Sequence, residues 1–347
     1  MSRISLLALL SIATVGAGPI YTITDLGTLG GSSSQAFGIS ATGQAVGAAT
    51  TAGFLHPFSS FGGGLTDLTG SAAEGIASGV NSAGTIVGTQ YFKGVAYASE
   101  WTNGAAQTIA GASSYGMAIN DSGAVAGMIT TAGGQGNAFV MSNGTLVDLG
   151  TLHGGPWSSA YAINSSGTVA GYGEVASGVF RGFTWSPDTG FTELGTLGGT
   201  SSYLMAINDS GEAAGTAQLA SGYEHAVIWN NGSLIDLGTL GGASSFAYGI
   251  DESGAVVGYS FVDGSGDTHA FIYLNGQMID LNSFLDPSSG WTLTAAYAIN
   301  SRATIVGTGL LNGVEHAFMM VDPPGPPDSP DAAPQASFNS VPEPATW

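Results

Sequence analysis

The chain has 347 residues with 57 glycines, 13 prolines and no cysteine, and four basic against 24 acidic residues give a net charge of −20. The missing thiols exclude disulfides, Cys-ligated zinc and a cysteine nucleophile, and four scattered cations cannot neutralise a run of phosphates, which excludes nucleic acid as a partner. An apolar fraction of 44% with only 8% charged residues is too rich for a disordered chain and suits many short strands joined by tight turns.

At the N-terminus, Arg3 precedes an apolar run from Ile4 to Val15, and Val15-Gly16-Ala17 offers the small residues that signal peptidase reads. Residues 1–17 are therefore expected to be an export signal, too short to span a bilayer. Ile20 to Leu26 follows as an isolated strand.

From there on, three anchors recur in phase. The first is an Ile-Asn pair, a Gly-containing turn and an apolar strand ending in Gly, as in Ala118 to Gly127 or Gly249 to Gly258. Its central residues are Ile39, Val80, Ile119, Ile163, Ile207, Ile250 and Ile299, spaced 39 to 49 residues apart. The second is His-Ala-Phe or a degenerate form, beginning at His56, Val95, Asn137, Arg181, His225, His269 and His316. The third is Asp-Leu-Gly-Thr-Leu-Gly-Gly, clear at Asp25, Asp148, Glu193 and Asp236 and decayed at Asp67, Thr108 and Asp280.

These residues resemble the HAF-repeat family of extracellular bacterial repeat proteins over nearly the whole mature chain. The resemblance implies export from a bacterium, Gram-negative by its sorting tail, and lends no catalytic residue. Each unit reads as four short strands. The first ends at the Ile-Asn pair, the third begins at the His position, and the fourth leads into Asp-Leu-Gly. Asn143-Gly144, Asn231-Gly232 and Asn275-Gly276 mark hairpins between third and fourth strands. Four-stranded units at this period predict an all-β fold, a seven-bladed β-propeller over residues 18–321. An open β-repeat array is the alternative.

Phase at the ends favours closure. The seventh unit stops after its third strand, and the N-terminal strand is a spare fourth. Pairing them would hide two open edges. In the first strands, small residues at one parity (Ala36 and Gly38, Ala160 and Ala162) oppose large ones at the other. This predicts a smooth and a bulky face for blade stacking. Leu204 breaks the small-residue rule, so a local gap is expected beside it.

Chemistry is sparse. His56, His225, His269 and His316 share one repeat position, which predicts a structural bridge to a carbonyl or nearby loop rather than a metal site. Asp263, Ser265 and Asp267 space oxygens as a calcium ion requires but lack the rest of a full loop. No other cofactor is indicated. The loops between fourth and first strands are nearly uncharged apart from Glu74 and Asp286. Those between second and third strands scatter Glu174, Glu224, Asp263, Asp267 and Glu315 over different blades. That pattern predicts no catalytic centre. Aromatic residues beside neutral hydroxyls, Tyr115, Trp157, Tyr203, Phe246 and Trp291, would suit an extracellular polysaccharide or an uncharged protein surface.

The composition changes at Asp322. Residues 322–340 are a Pro-, Ser- and Asp-rich linker. Val341-Pro342-Glu343-Pro344-Ala345-Thr346-Trp347 resembles the opening of a PEP-CTERM sorting signal, which implies an exosortase-type membrane enzyme as partner. The expectation is an exported, non-enzymatic protein, surface-displayed or extracellular, that binds or scaffolds polymer. The alternatives are a secreted carbohydrate-active enzyme on a propeller scaffold and a passive component of the surface matrix.

Overall fold

A computed structural model describes residues 21–321 apart from 52, 70–73 and 265; the export signal, linker and sorting motif lie outside the described residues. The fold is all-β, with seven four-stranded antiparallel units arranged as propeller blades. Each blade runs outward in chain order: blade 1 comprises Ser34–Ile39, Ala45–Thr50, Leu55–Ser60 and Thr66–Asp67. The innermost strands of blades 2 to 7 are Glu74–Val80, Ser114–Ile119, Trp157–Ile163, Gly198–Ile207, Gly241–Ile250 and Trp291–Ile299. Blade 7 has three strands of its own, and Thr22–Gly27 completes it, pairing Thr22 with Val321 and Gly27 with Ala317. The split unit thus closes the ring and leaves no unpaired edge at the junction.

The turns follow the glycines. Gly123 has φ 82°, and Asn143 and Gly144 have φ 51° and 73°, the two positive values that a type I′ hairpin needs. The His-Ala-Phe motif divides its work by strand alternation. Phe58, Phe139, Phe183, Phe271 and Phe318 are fully buried and pack toward the preceding blade, as Phe139 does with Val87 and Ala98. The alanine points the other way, Ala138 joining Ala160 of blade 4 and Ala226 joining Ala247 of blade 6.

The histidines bridge to a different partner from the one expected. Each Nδ1 meets the aspartate of Asp-Leu-Gly in the fourth strand: His56 with Asp67 at 2.8 Å, His225 with Asp236 at 2.8 Å, His269 with Asp280 at 2.6 Å and His316 with Asp25 at 2.8 Å. Antiparallel register places each aspartate one diagonal step from its histidine, as Asp67 opposite Phe58 and Asp236 opposite Val227 show. Asn137 on Asp148 (2.8 Å) and Arg181 on Glu193 (2.9 Å) replace the pair in blades 3 and 4. The His316–Asp25 pair spans the ring closure itself. Blade 2 corrects the repeat alignment. Its two-residue turn at Lys93 and Gly94 (φ 52° and 77°) matches that at Asn312 and Gly313 in blade 7 (φ 51° and 85°), and Gln90 lies opposite Tyr97 as Gly309 lies opposite His316 and Ala49 opposite His56. Tyr97, not Val95, holds the anchor position there.

Two hydrogen-bonding devices join neighbouring blades. The buried Ser158 hydroxyl donates to Gly150 O and accepts from the Ala138 N–H at 2.8 Å, and Ser34, Ser114, Ser202 and Ser245 repeat this stitch. Nearer the axis, Asn81, Asn120, Asn164 and Asn208 each donate Nδ2 to the carbonyl at the equivalent position of the next blade, and Asn300 donates to Ser40. Ser40 and Asp251 hold that position in blades 1 and 6. Neither carries an amide donor.

The bulky side of the first strands does not pad the blade faces. Every inner strand has a β-bulge, and its pairing skips Phe37, Ser78, Met117, Tyr161, Met205, Tyr248 or Tyr297. The bulge re-aims that residue, so the seven side chains line the central channel. The glycine ending each Val-Val-Gly run makes room for the bend, since a Cβ on Gly47 or Gly258 would overlap the carbonyl of Gln35 or Phe246. Leu204 leaves no gap. It is 1% exposed in a cluster with Leu194, Ala170 and Ala213. The facing residue of blade 4 is Gly182, where an added Cβ would lie 3.2 Å from Leu204 Cγ.

Candidate functional site

The loops that follow second and fourth strands gather at one mouth of the channel, where first strands begin. The rings four and six places before the central Ile share second-strand partners with those two places before it. Trp157 and Tyr161 both meet Tyr172, and Phe246 and Tyr248 both meet Tyr259, so the outer rings continue the channel lining outward. Tyr115, Tyr203 and Phe246 each stand four places before that Ile and Trp157 six; all are half-buried.

Trp157 is 5.4 Å from Tyr172 and 6.0 Å from Phe180, and Tyr203 is 4.9 Å from Tyr172 and 5.8 Å from Phe180. Tyr161 stacks on Tyr172 at 4.9 Å with an interplanar angle of 7°, their hydroxyls 3.1 Å apart. Phe246 stacks on Tyr259 at 4.9 Å, and Tyr259, Tyr248, Tyr297 and Phe37 carry the ring contacts on to blade 1. Trp157 and Tyr203 therefore belong to one ring cluster at the mouth and Phe246 to a second, while Tyr115 lines the space beside Trp157. Trp291 joins neither. It stands eight places before Ile299, beyond a second bulge at Thr294, and packs on Phe318 at 6.3 Å, partly buried against the blade core.

Sequence reasoning missed Tyr172, Tyr259 and Phe180, and misplaced Tyr161, Tyr248 and Tyr297. The signal for the second-strand tyrosines is register. The residue after each Val-Val-Gly glycine lies opposite the fourth residue before the Ile, as Tyr259 opposite Phe246 and Tyr172 opposite Ser159.

Between blades 3 and 4 the mouth opens into a cavity of about 450 Å³ whose lining includes Tyr115, Met117, Met128, Trp157, Ser159 and Tyr161. Its cause is two missing side chains. At two other junctions the residue before the histidine anchor reaches the next blade's inner strand: Phe180 meets Tyr203, and the Glu315 carboxylate accepts from Gln35 Nε2 at 3.2 Å. Here those two positions hold Gly136 and Ser159.

Burial pushes up the hydroxyl pKa of Tyr172, Tyr203, Tyr248 and Tyr259, and that of Tyr297 to about 12. The mouth therefore presents neutral donors. Burial also raises the Glu224 carboxyl, which lies near Tyr203 and Tyr259 and adds to their shifts. Glu174 accepts from the Gly178 N–H at 2.8 Å on blade 4. Asp263 and Asp267 flank a blade 6 turn whose Ser265 lies outside the described residues, so the calcium candidate is only partly described. Among the described residues no group of three or more His, Asp or Glu side chains could hold a metal ion.

No family model and no curated protein matches the chain. Solved structures do. The chain is similar to YCF48 bound to D1 peptide, with 13% identity, 93% of this chain and 100% of that one covered, and a TM-score of 0.51. It is similar to a puromycin-hydrolyzing peptidase of Mycobacterium tuberculosis at 14% identity over 83% of this chain, with a TM-score of 0.56. TolB from Acinetobacter baumannii aligns at 13% identity over 73% of this chain with a TM-score of 0.45. The chain spans 63% of TolB and 50% of the peptidase. At these identities the likeness is one of fold, a β-propeller.

Proposed function

We propose that this chain is an exported, non-enzymatic propeller of the HAF-repeat type that binds an uncharged extracellular polymer, a polysaccharide, at the aromatic mouth. The observation that carries the reading is the ring cluster of Trp157, Tyr172 and Tyr203, half-buried rings with neutral hydroxyls, beside an open cavity that Trp157 lines together with Tyr115. Aromatic faces stack on the apolar faces of sugar rings while hydroxyls take their edges. Export and sorting rest on the sequence of residues 1–17 and 341–347.

The testing experiment is a glycan-array screen of the mature chain, with Trp157→Ala and Trp291→Ala as variants. Saturable binding lost in the first variant and kept in the second supports the reading, because Trp291 packs against the blade core away from that ring cluster. Silence from folded protein removes it and leaves a peptide ligand or a passive matrix role. The enzyme alternative draws on Glu224, whose raised pKa suits a general acid. Turnover of a bound glycan, abolished by Glu224→Gln, would establish it.

A further inference from the structure

The repeat makes one junction unlike its neighbours. Where blade 4 places Phe180 against Tyr203 of blade 5, blade 3 places Gly136 and blade 4 answers with Ser159. The space so released is the cavity of about 450 Å³, within the size range of small-molecule sites, roughly 300–1,000 Å³. Its lining has no charged side chain: Tyr115, Tyr161 and Trp157 supply rings, Met117 and Met128 supply thioethers, and Thr130 and Ser159 supply hydroxyls.

Ser159 is the second observation. It is 1% exposed, and its Oγ is buried without a hydrogen-bond partner. The serines of the inter-blade stitch bond on both sides, as Ser158 does next to it. A buried hydroxyl left unpaired is a destabilising feature that calls for a partner. Ser159 lines the cavity, and an acceptor on a ligand seated there is the partner its O–H lacks.

We propose that this cavity is a subsite for the acetamido group of an N-acetylhexosamine unit, which rests on the polysaccharide reading above. An acetamido group is a planar amide ending in a methyl. The methyl packs on Met117, Met128 and Trp157, where polarisable sulfur and ring surface suit it, and the amide oxygen accepts from Ser159 Oγ. A plain hexose brings hydroxyls on each edge, and a mostly apolar lining with two hydroxyls leaves most of them unpaired. Uronic acids and sulfated sugars find no cation.

The test is titration calorimetry of the full mature protein with a β-1,4 tetramer of N-acetylglucosamine and with the corresponding glucose tetramer. Expected is preference for the acetamido tetramer by about tenfold or more, the weight of one apolar group in a fitted pocket. Ser159→Ala should weaken that ligand about tenfold, the effect of one hydrogen bond, and leave the glucose tetramer unchanged. Gly136→Phe, copying the blade 4 residue at the same repeat position, should erase the preference by filling the cavity; Ser159→Ala serves should this variant not fold. Equal binding of both tetramers, or a preference that survives the variants, overturns the subsite and leaves the polysaccharide reading standing. Failure of both tetramers with folded protein overturns the subsite. The polysaccharide reading falls with it only if the glycan array is also silent.

Discussion

The contact between Gly182 and Leu204 can be tested as a pair. Leu204→Ala removes a side chain that is 1% exposed and should cost about 3 kcal/mol, inside the range of about 2.7–5.0 for buried Leu→Ala. Gly182→Ala places a Cβ 3.0 Å from Leu194 Cδ2 and 3.2 Å from Leu204 Cγ. Overpacking of that kind costs roughly 1–3 kcal/mol, offset by about 0.4–1 kcal/mol because alanine restricts the unfolded chain. The double variant restores the Ala-on-Ala contact that Ala138 and Ala160 make elsewhere in the ring. Only the contact with Leu194 stays tight. The singles should then sum to about 4–5 kcal/mol while the double costs about 2–3 kcal/mol, a coupling of roughly 2 kcal/mol in the stabilising direction. Urea unfolding at constant slope measures each value. Additivity within about 0.5 kcal/mol would show that the two residues do not share one space, and the account of Leu204 would fail.

Other consequences follow from the inter-blade and intra-blade bonds. Asp25→Ala removes the 2.8 Å pair with His316 across the ring closure and should cost about 1.5–3 kcal/mol; limited proteolysis should then cut the N-terminal strand sooner than in Asp236→Ala, whose pair lies within one blade. Asp251→Asn keeps the Oδ1 that accepts from Ala255 and supplies the amide donor missing beside Asn300, so thermal melts should show a gain of about 1 kcal/mol. For Asp67, burial opposes ionisation, but bonds from His56 and from the Thr69 N–H and hydroxyl outweigh it and hold its pKa below the ordinary 3.8. The unfolded chain therefore takes up that proton first, so the contribution is complete above the ordinary value and is lost as pH falls through the lower folded one. The stability gap between the wild type and Asp67→Asn should shrink as pH drops from about 5 to about 3.

What the sequence determined by itself is what local geometry dictates. Seven recurring turns of the Ile-Asn type, Asn-Gly pairs needing positive φ, and a split seventh unit each depend on neighbouring residues or on simple counting, and each is present in the fold. Four of the five aromatics also fall at the channel mouth, because chain position puts the start of each first strand there.

The tertiary structure decided the rest. Parity fails at a bulge, and neither the shift that turns Phe37 and Tyr297 into the channel nor the one near Trp291 is written in any single repeat. The His–Asp pairs depend on strand register, which sets a diagonal contact between residues eleven apart. Tyr97 is the anchor of blade 2 by strand register alone, since no His-Ala-Phe string marks the position there. Gly182 with Leu204, and Gly136 with Ser159, are substitutions on separate strands that gain meaning only when adjacent blades are packed together. One pair fills a space and the other leaves it open.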